Sequence, residues 1–151
     1  MKAVVAVQEF DSIQSGQSLP ELTKQVTVEQ IQQYAEVSGD RNPIHLDETF
    51  ARSVGLPGVI AHGMLTMAFA NQLVTDWLGD RRWLKRLQAR FAGMVLPGDQ
   101  LTCSGSVTAK DEATRRVVIS LTVTNQRGEK VLNKGVAEAE FPPRRSDTHA
   151  A

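Results

Sequence analysis

Gly63-Met64-Leu65-Thr66-Met67-Ala68-Phe69-Ala70-Asn71-Gln72-Leu73-Val74-Thr75-Asp76-Trp77 reads as a strong helix. Its apolar residues, with Leu78 just beyond, cover most of the helix circumference. A helix that is apolar nearly all round is normally buried on most sides, so other parts of the chain must wrap it. Thr66, Asn71, Gln72, Thr75 and Asp76 interrupt the apolar run. A membrane-crossing helix needs about 20 mostly apolar residues, which this segment does not supply.

The wrapping comes from the residues that follow. Leu84 to Met94 reads as a strand, and Pro97-Gly98-Asp99 as a turn. Leu101, Cys103, Gly105 and Val107 alternate with polar neighbours, as do Val117, Ile119, Leu121 and Val123. That period of two marks half-buried strands. Asp111-Glu112-Ala113-Thr114 and Asn125-Gln126-Arg127-Gly128 are short connections, and Val131 to Phe141 returns as the last strand. Long strands joined by short turns make an antiparallel meander. The expected architecture is α+β, a curved antiparallel sheet wrapped around one long central helix.

Upstream, Leu22, Gln25 and Val26 hint at a strand within a segment, 10–26, that is otherwise irregular around Gly16 and Pro20. Thr27-Val28-Glu29-Gln30 is a capping-box pattern. The helix it opens, with Ile31, Tyr34 and Ala35 at helical spacing, runs to about Val37 and ends at Ser38-Gly39. Asp47 fits an N-cap for a short helix to about Val54, stopped by Gly55 and Pro57. No repeat or linker divides the chain. Residues 1–141 are expected to form one domain, and 142–151 a polar, disordered tail that includes His149, for which no role is needed.

Composition narrows the function. Seventeen Lys and Arg balance seventeen Asp and Glu. Nothing in that balance suggests nucleic acid or an anionic membrane as partner. Cys103 is the only cysteine, so an internal disulfide and a cysteine zinc cluster are both excluded. A lone cysteine that alternates into a strand reads as inert packing in a reducing, cytoplasmic compartment. The start of the chain has an apolar run of five residues, Ala3 to Val7. A secretory signal needs about 7–15, so none is expected.

The polar residues of interest lie in Ser38-Gly39-Asp40-Arg41-Asn42-Pro43-Ile44-His45, a loop between two expected helices. Pro43 fixes its own φ and pushes Asn42 towards an extended conformation. A loop this constrained can hold Asp40 and His45 in fixed relative positions, with Ser38, Gly39, Asn42 and Pro43 in support. On residue types alone, Asp-x-Asn-Pro fits a plain turn as well. A metal site of Asp40, His45, Asp47 and His62 matches no ligand spacing, and no metal is expected. The second feature is Ala61-His62-Gly63-Met64 at the start of the apolar helix. A helix N-terminus presents unpaired backbone N–H groups and a partial positive charge. Gly63 there lets a ligand oxygen approach the backbone, or simply permits tight packing of helix on sheet. His62 reads as structural.

Tyr34-Ala35-Glu36-Val37-Ser38-Gly39-Asp40-Arg41-Asn42-Pro43-Ile44-His45, with Ala51 six residues later, resembles the hydratase-2 motif of MaoC-like proteins, a family that includes (R)-specific enoyl-CoA hydratases. The His62-Gly63-Met64 helix start and Phe91 with Pro97-Gly98-Asp99 also resemble that family, and Ala61-His62-Gly63-Met64-Leu65-Thr66-Met67 especially resembles the B subunit of heterodimeric (3R)-hydroxyacyl-ACP dehydratases. The resemblance covers roughly residues 10–141. It implies a hot-dog fold, Asp40 and His45 as the catalytic pair, and the Gly63 N–H as oxyanion donor. It implies a hydro-lyase that hydrates trans-2-enoyl thioesters, or dehydrates (3R)-hydroxyacyl thioesters, on CoA or acyl carrier protein and without a cofactor. It further implies pairing with an identical or related hot-dog subunit.

Two other functions fit the same fold. A hot-dog thioesterase often carries a catalytic Asp or Glu on the central helix, where this chain has only Asp76 near the end. An acyl-binding partner subunit would not need the intact Asp40 and His45.

Overall fold

The computed structural model describes residues 6–144. Most of the expected tail, with His149, and the first five residues lie outside the described residues. Five strands form one antiparallel sheet: β1 (Leu22–Gln25), β2 (Leu84–Phe91), β3 (Gln100–Asp111), β4 (Arg116–Thr124) and β5 (Lys130–Glu140). Their spatial order is β1-β3-β4-β5-β2. The chain between β1 and β2 therefore starts at one edge of the sheet and ends at the other. It carries four helices: α1 (Val28–Ser38), α2 (Pro43–Leu46), α3 (Glu48–Ser53) and α4 (Gly63–Leu78).

Local signals set the helix ends. The capping box forms, with Thr27 Oγ1 accepting from the Gln30 N–H and Gln30 Oε1 from the Thr27 N–H, both at 3.1 Å. Gly39 closes α1 at φ 77°, a left-handed conformation that costs glycine little. Asp47 caps α3 through the Phe50 N–H, 3.0 Å.

The buried faces of the strands pack against α4, which buries Leu65, Phe69, Leu73, Val74, Trp77 and Leu78. Across the middle of the sheet, Gly105, Leu121 and Gly135 stand in one register row. A Cβ on Gly105 would lie 2.9 Å from Leu121 Cδ2, and one on Gly135 would lie 2.7 Å from the Leu121 carbonyl oxygen. The two glycines thus leave room for one leucine, next to bulges at Val107/Ala109 and Leu121/Val123. Bulges and strand glycines bend a sheet, and this one bends around α4 in the expected hot-dog arrangement.

The sheet wraps α4 as expected, on one broad side. Met64 and Ala68 stay exposed and Asn71 and Gln72 half-exposed, because one five-stranded sheet is not wide enough to enclose the whole helix. Two expectations need correction. First, β2 does not turn back on β3. It pairs with β5, from Leu84 opposite Ala139 to Phe91 opposite Leu132. The segment between β2 and β3 runs too long for a hairpin loop of about 2–5 residues. It spends its backbone groups elsewhere: the Ala61 N–H donates to Val95 O at 2.8 Å, and the Gly98 N–H to Val26 O at 2.7 Å. The meander therefore comprises β3, β4 and β5. Second, residues 43–46 are the helical turn α2 and not loop. Asn42 caps that turn and Pro43 opens it, where a missing N–H costs nothing.

Candidate active site

The catalytic candidates sit on a chain of local hydrogen bonds, each reaching two residues along the sequence. Ser38 Oγ accepts from the Asp40 N–H at 3.1 Å. Asp40 Oδ1 accepts from the Asn42 N–H at 3.2 Å, and Asn42 Oδ1 from the Ile44 N–H at 3.2 Å. In each case a side-chain oxygen satisfies the backbone N–H two residues on, the turn chemistry typical of Ser, Asp and Asn. These bonds fix the path from the end of α1 into α2, and so the direction in which His45 projects.

His45 is buried, with 8% of its side chain exposed, while Asp40 is 54% exposed. His45 Nδ1 lies 2.7 Å from the Ile60 carbonyl oxygen. A carbonyl only accepts, so Nδ1 carries a proton, and in the neutral ring Nε2 keeps its lone pair. That lone pair faces Asp40, with Nε2 3.9 Å from Oδ2. The gap is too long for a direct hydrogen bond. The Ile60 N–H in turn donates to Ile44 O at 3.1 Å, which docks α2 on the segment leading to α4.

His62 closes the group. Its Nε2 is 2.9 Å from the Asp40 carbonyl oxygen, and its ring stacks on His45 with centroids 3.8 Å apart and planes at 25°. Tyr34 packs against it from α1, centroids 4.8 Å apart. Although His62 is the N-cap residue of α4, its side chain makes no capping bond. The first N–H groups of α4, beginning with Gly63, thus keep the donor capacity that a helix leaves unused within itself.

Gly63 also has a packing role. A Cβ there would sit 3.1 Å from the Phe91 ring, which lies against the helix start. Phe91 is 51% exposed, and Met64 and Met94 are similarly exposed. Phe91 was singled out in sequence only through the family resemblance; its contact with Gly63 is made by the fold.

Atoms of Asp40, His45 and His62 all lie within 4.8 Å of one another. Asp47, the fourth residue weighed as a ligand, is engaged in capping α3. A zinc-type ion needs in-plane nitrogen lone pairs that converge about 2.0–2.1 Å away. The two imidazoles are stacked, and each already gives one nitrogen to a carbonyl, which leaves one ring nitrogen on each as a possible ligand beside Asp40. Cys103 and Asp76 do not belong to this group: Cys103 is buried in the sheet and Asp76 is exposed near the far end of α4.

Comparison with known proteins agrees with the fold. A family model described as MaoC like domain matches residues 12–128. The fatty acid synthase subunit beta of Aspergillus oryzae is 42% identical over 112 residues, which are 71% of this chain and 5% of that subunit. The chain thus spans only about one-twentieth of the length of that curated relative. Among solved structures, R-hydratase PhaJ1 from Pseudomonas aeruginosa superposes with a TM-score of 0.78 at 32% identity, covering 89% of this chain and 93% of the other. An (R)-hydratase from A. caviae involved in PHA biosynthesis gives 0.80 at 27% identity, covering 87% and 98%.

Proposed function

The chain belongs to the MaoC-like domain family, and we propose that it catalyses reversible addition of water to trans-2-enoyl thioesters, with Asp40 and His45 as the acid–base pair. The observation that carries this reading is the 3.9 Å gap between Asp40 Oδ2 and His45 Nε2, with the tautomer of His45 set by Ile60. One water about 2.8 Å from each atom bridges such a gap.

In the hydration direction that water attacks C3 of the enoyl group. One member of the pair takes the proton that the water loses, and C2 receives a proton from the same pair. The pair ends as it began. Because both events are served from one side, addition is syn. The (3R) configuration proposed for the product is supported by the names of the similar R-hydratases. The Gly63 N–H, with the partial positive charge of the α4 N-terminus, stabilises the thioester oxygen as it gains enolate character. Dehydration is the same path reversed. The names of the solved R-hydratases and of the fatty acid synthase subunit support acyl thioesters as the substrate class. The handle is CoA or acyl carrier protein, and no cofactor takes part.

Met64, Phe91 and Met94, each about half exposed around the start of α4, support pairing with a second hot-dog unit. That unit is a copy of this chain or a related subunit.

The test is hydration of crotonyl-CoA by Asp40→Asn and His45→Gln. Each is expected to lose about 10²–10⁴-fold in rate while melting like the wild type. Near-normal turnover in either folded variant would refute the assignment.

A further inference from the structure

His62 lies outside the reaction just described, yet it touches every part of it. Resting on that reading, we propose that His62 is a positioning residue that locks the main chain of Asp40 to the start of α4, so that the acid–base pair and the Gly63 amide keep one fixed separation.

A helix N-cap is normally a residue whose side-chain oxygen accepts from the first turn, such as Ser, Thr, Asp or Asn. His62 occupies the N-cap of α4 and makes no such bond. It turns away from the helix and reaches back 22 residues to the Asp40 carbonyl oxygen, at 2.9 Å. Since the carbonyl only accepts, Nε2 must carry the proton. Asp40's other hydrogen bonds, with Ser38 and Asn42, are local and fix the shape of its turn but not its place in the molecule. The His62 bond supplies that second, non-local restraint.

The cost of this arrangement shows that it is not simply space-filling. His62 is 2% exposed and its buried Nδ1 has no hydrogen-bond partner among the described residues. A buried unsatisfied polar atom costs about 1–3 kcal/mol. An apolar ring would fill the space without that penalty, but it could not hold the Asp40 carbonyl. The ring also stacks on His45 at 3.8 Å and meets Tyr34 at 4.8 Å. One side chain thus braces the backbone of one catalytic residue and the imidazole of the other, and the next residue in the chain is Gly63.

The experiment compares His62→Phe with His62→Gln in crotonyl-CoA hydration. Phenylalanine keeps an aromatic ring but has no donor, whereas glutamine keeps an N–H donor and loses the ring. A misplacement of about 1 Å costs about 10²-fold in rate, so His62→Phe is expected to lower kcat by about that factor with KM changed by less than about twofold. His62→Gln is expected to recover kcat at least about fivefold over His62→Phe. A folded His62→Phe with wild-type kcat would overturn the proposal, as would a folded His62→Gln no faster than His62→Phe. If His62→Phe does not fold, His62→Gln decides alone: a kcat within about tenfold of wild type supports the proposal, and total loss in a folded protein overturns it. Full activity of His62→Phe beside an inactive Asp40→Asn would sink this inference only. A wild-type chain that neither hydrates enoyl nor dehydrates (3R)-hydroxyacyl thioesters would sink the reading beneath it.

Discussion

Asn42 illustrates how much of the site rests on single side-chain oxygens. Its Oδ1 holds the Ile44 N–H and caps α2, whose third residue is His45. Replacing an N-cap Asn by Ala typically costs about 1 kcal/mol, so Asn42→Ala is expected to melt about 3 °C lower. Its kcat should fall by a larger factor than that loss of stability implies, because His45 loses its aim. A steady-state assay beside a melting curve checks both, and an unchanged kcat would count against the positional role. Cys103 gives a second test at this scale. Burial pushes its thiol up to about 11, so a thiol reagent at about pH 8 should label it only after unfolding. That Pro43 constrains Asn42 was readable in sequence, because proline acts locally on its own φ and on the residue before it; that the two cap and open a helical turn was not. His62 was not, since its partner lies 22 residues away and helix-cap statistics say nothing about a histidine that turns its back on the helix.

Among the elements, α4 and the strands β3, β4 and β5 were readable because each is long enough to show its period. The turn α2, with four residues, is too short to show one. The pairing of β2 with β5 was hidden as well, since a turn signal at Pro97-Gly98-Asp99 does not say which strand comes next in space. The glycine row shows why composition alone undersells a strand. Gly135→Ala would place a Cβ 2.7 Å from the Leu121 carbonyl oxygen, which is backbone and cannot rotate away. The expected loss is about 1–3 kcal/mol, read by urea unfolding, and an unchanged midpoint would show that β4 and β5 can slide apart freely.

The loop before α4 carries a pH-dependent tie. Glu48 accepts from the Val59 N–H at 3.0 Å and pairs with Arg52 at 2.9 Å, and these contacts, Val59 first, hold its carboxyl below the ordinary 4.5. The unfolded chain therefore binds the proton more readily. The contribution of Glu48 is fully present above about pH 4.5 and is lost as pH falls through the folded value. In Glu48→Gln the melting temperature should drop slightly at neutral pH, and the difference from the wild type should shrink as the pH falls through the folded value below 4.5. A difference that persists at low pH would assign the effect to something other than this carboxylate.

At the scale of the whole molecule, the sheet leaves one stripe of α4 and the edge strand β2 uncovered. Among the described residues no helix is long and apolar enough to cross a membrane. Light scattering is expected to give twice the chain mass, either for the chain alone or after addition of a related hot-dog subunit. A persistent monomer that still hydrates enoyl thioesters would remove the second unit from the account. The sequence pattern foretold a wrapped helix but not the open side, because periodicity reports which residues avoid water and not which neighbour covers them. The most direct check of the chemistry is to hydrate crotonyl-CoA in D2O and determine the configuration of the product. The expected product is (3R)-3-hydroxybutyryl-CoA with deuterium added at C2 on the same face as the hydroxyl. A (3S) product, anti addition, or release of free CoA without hydration would contradict it.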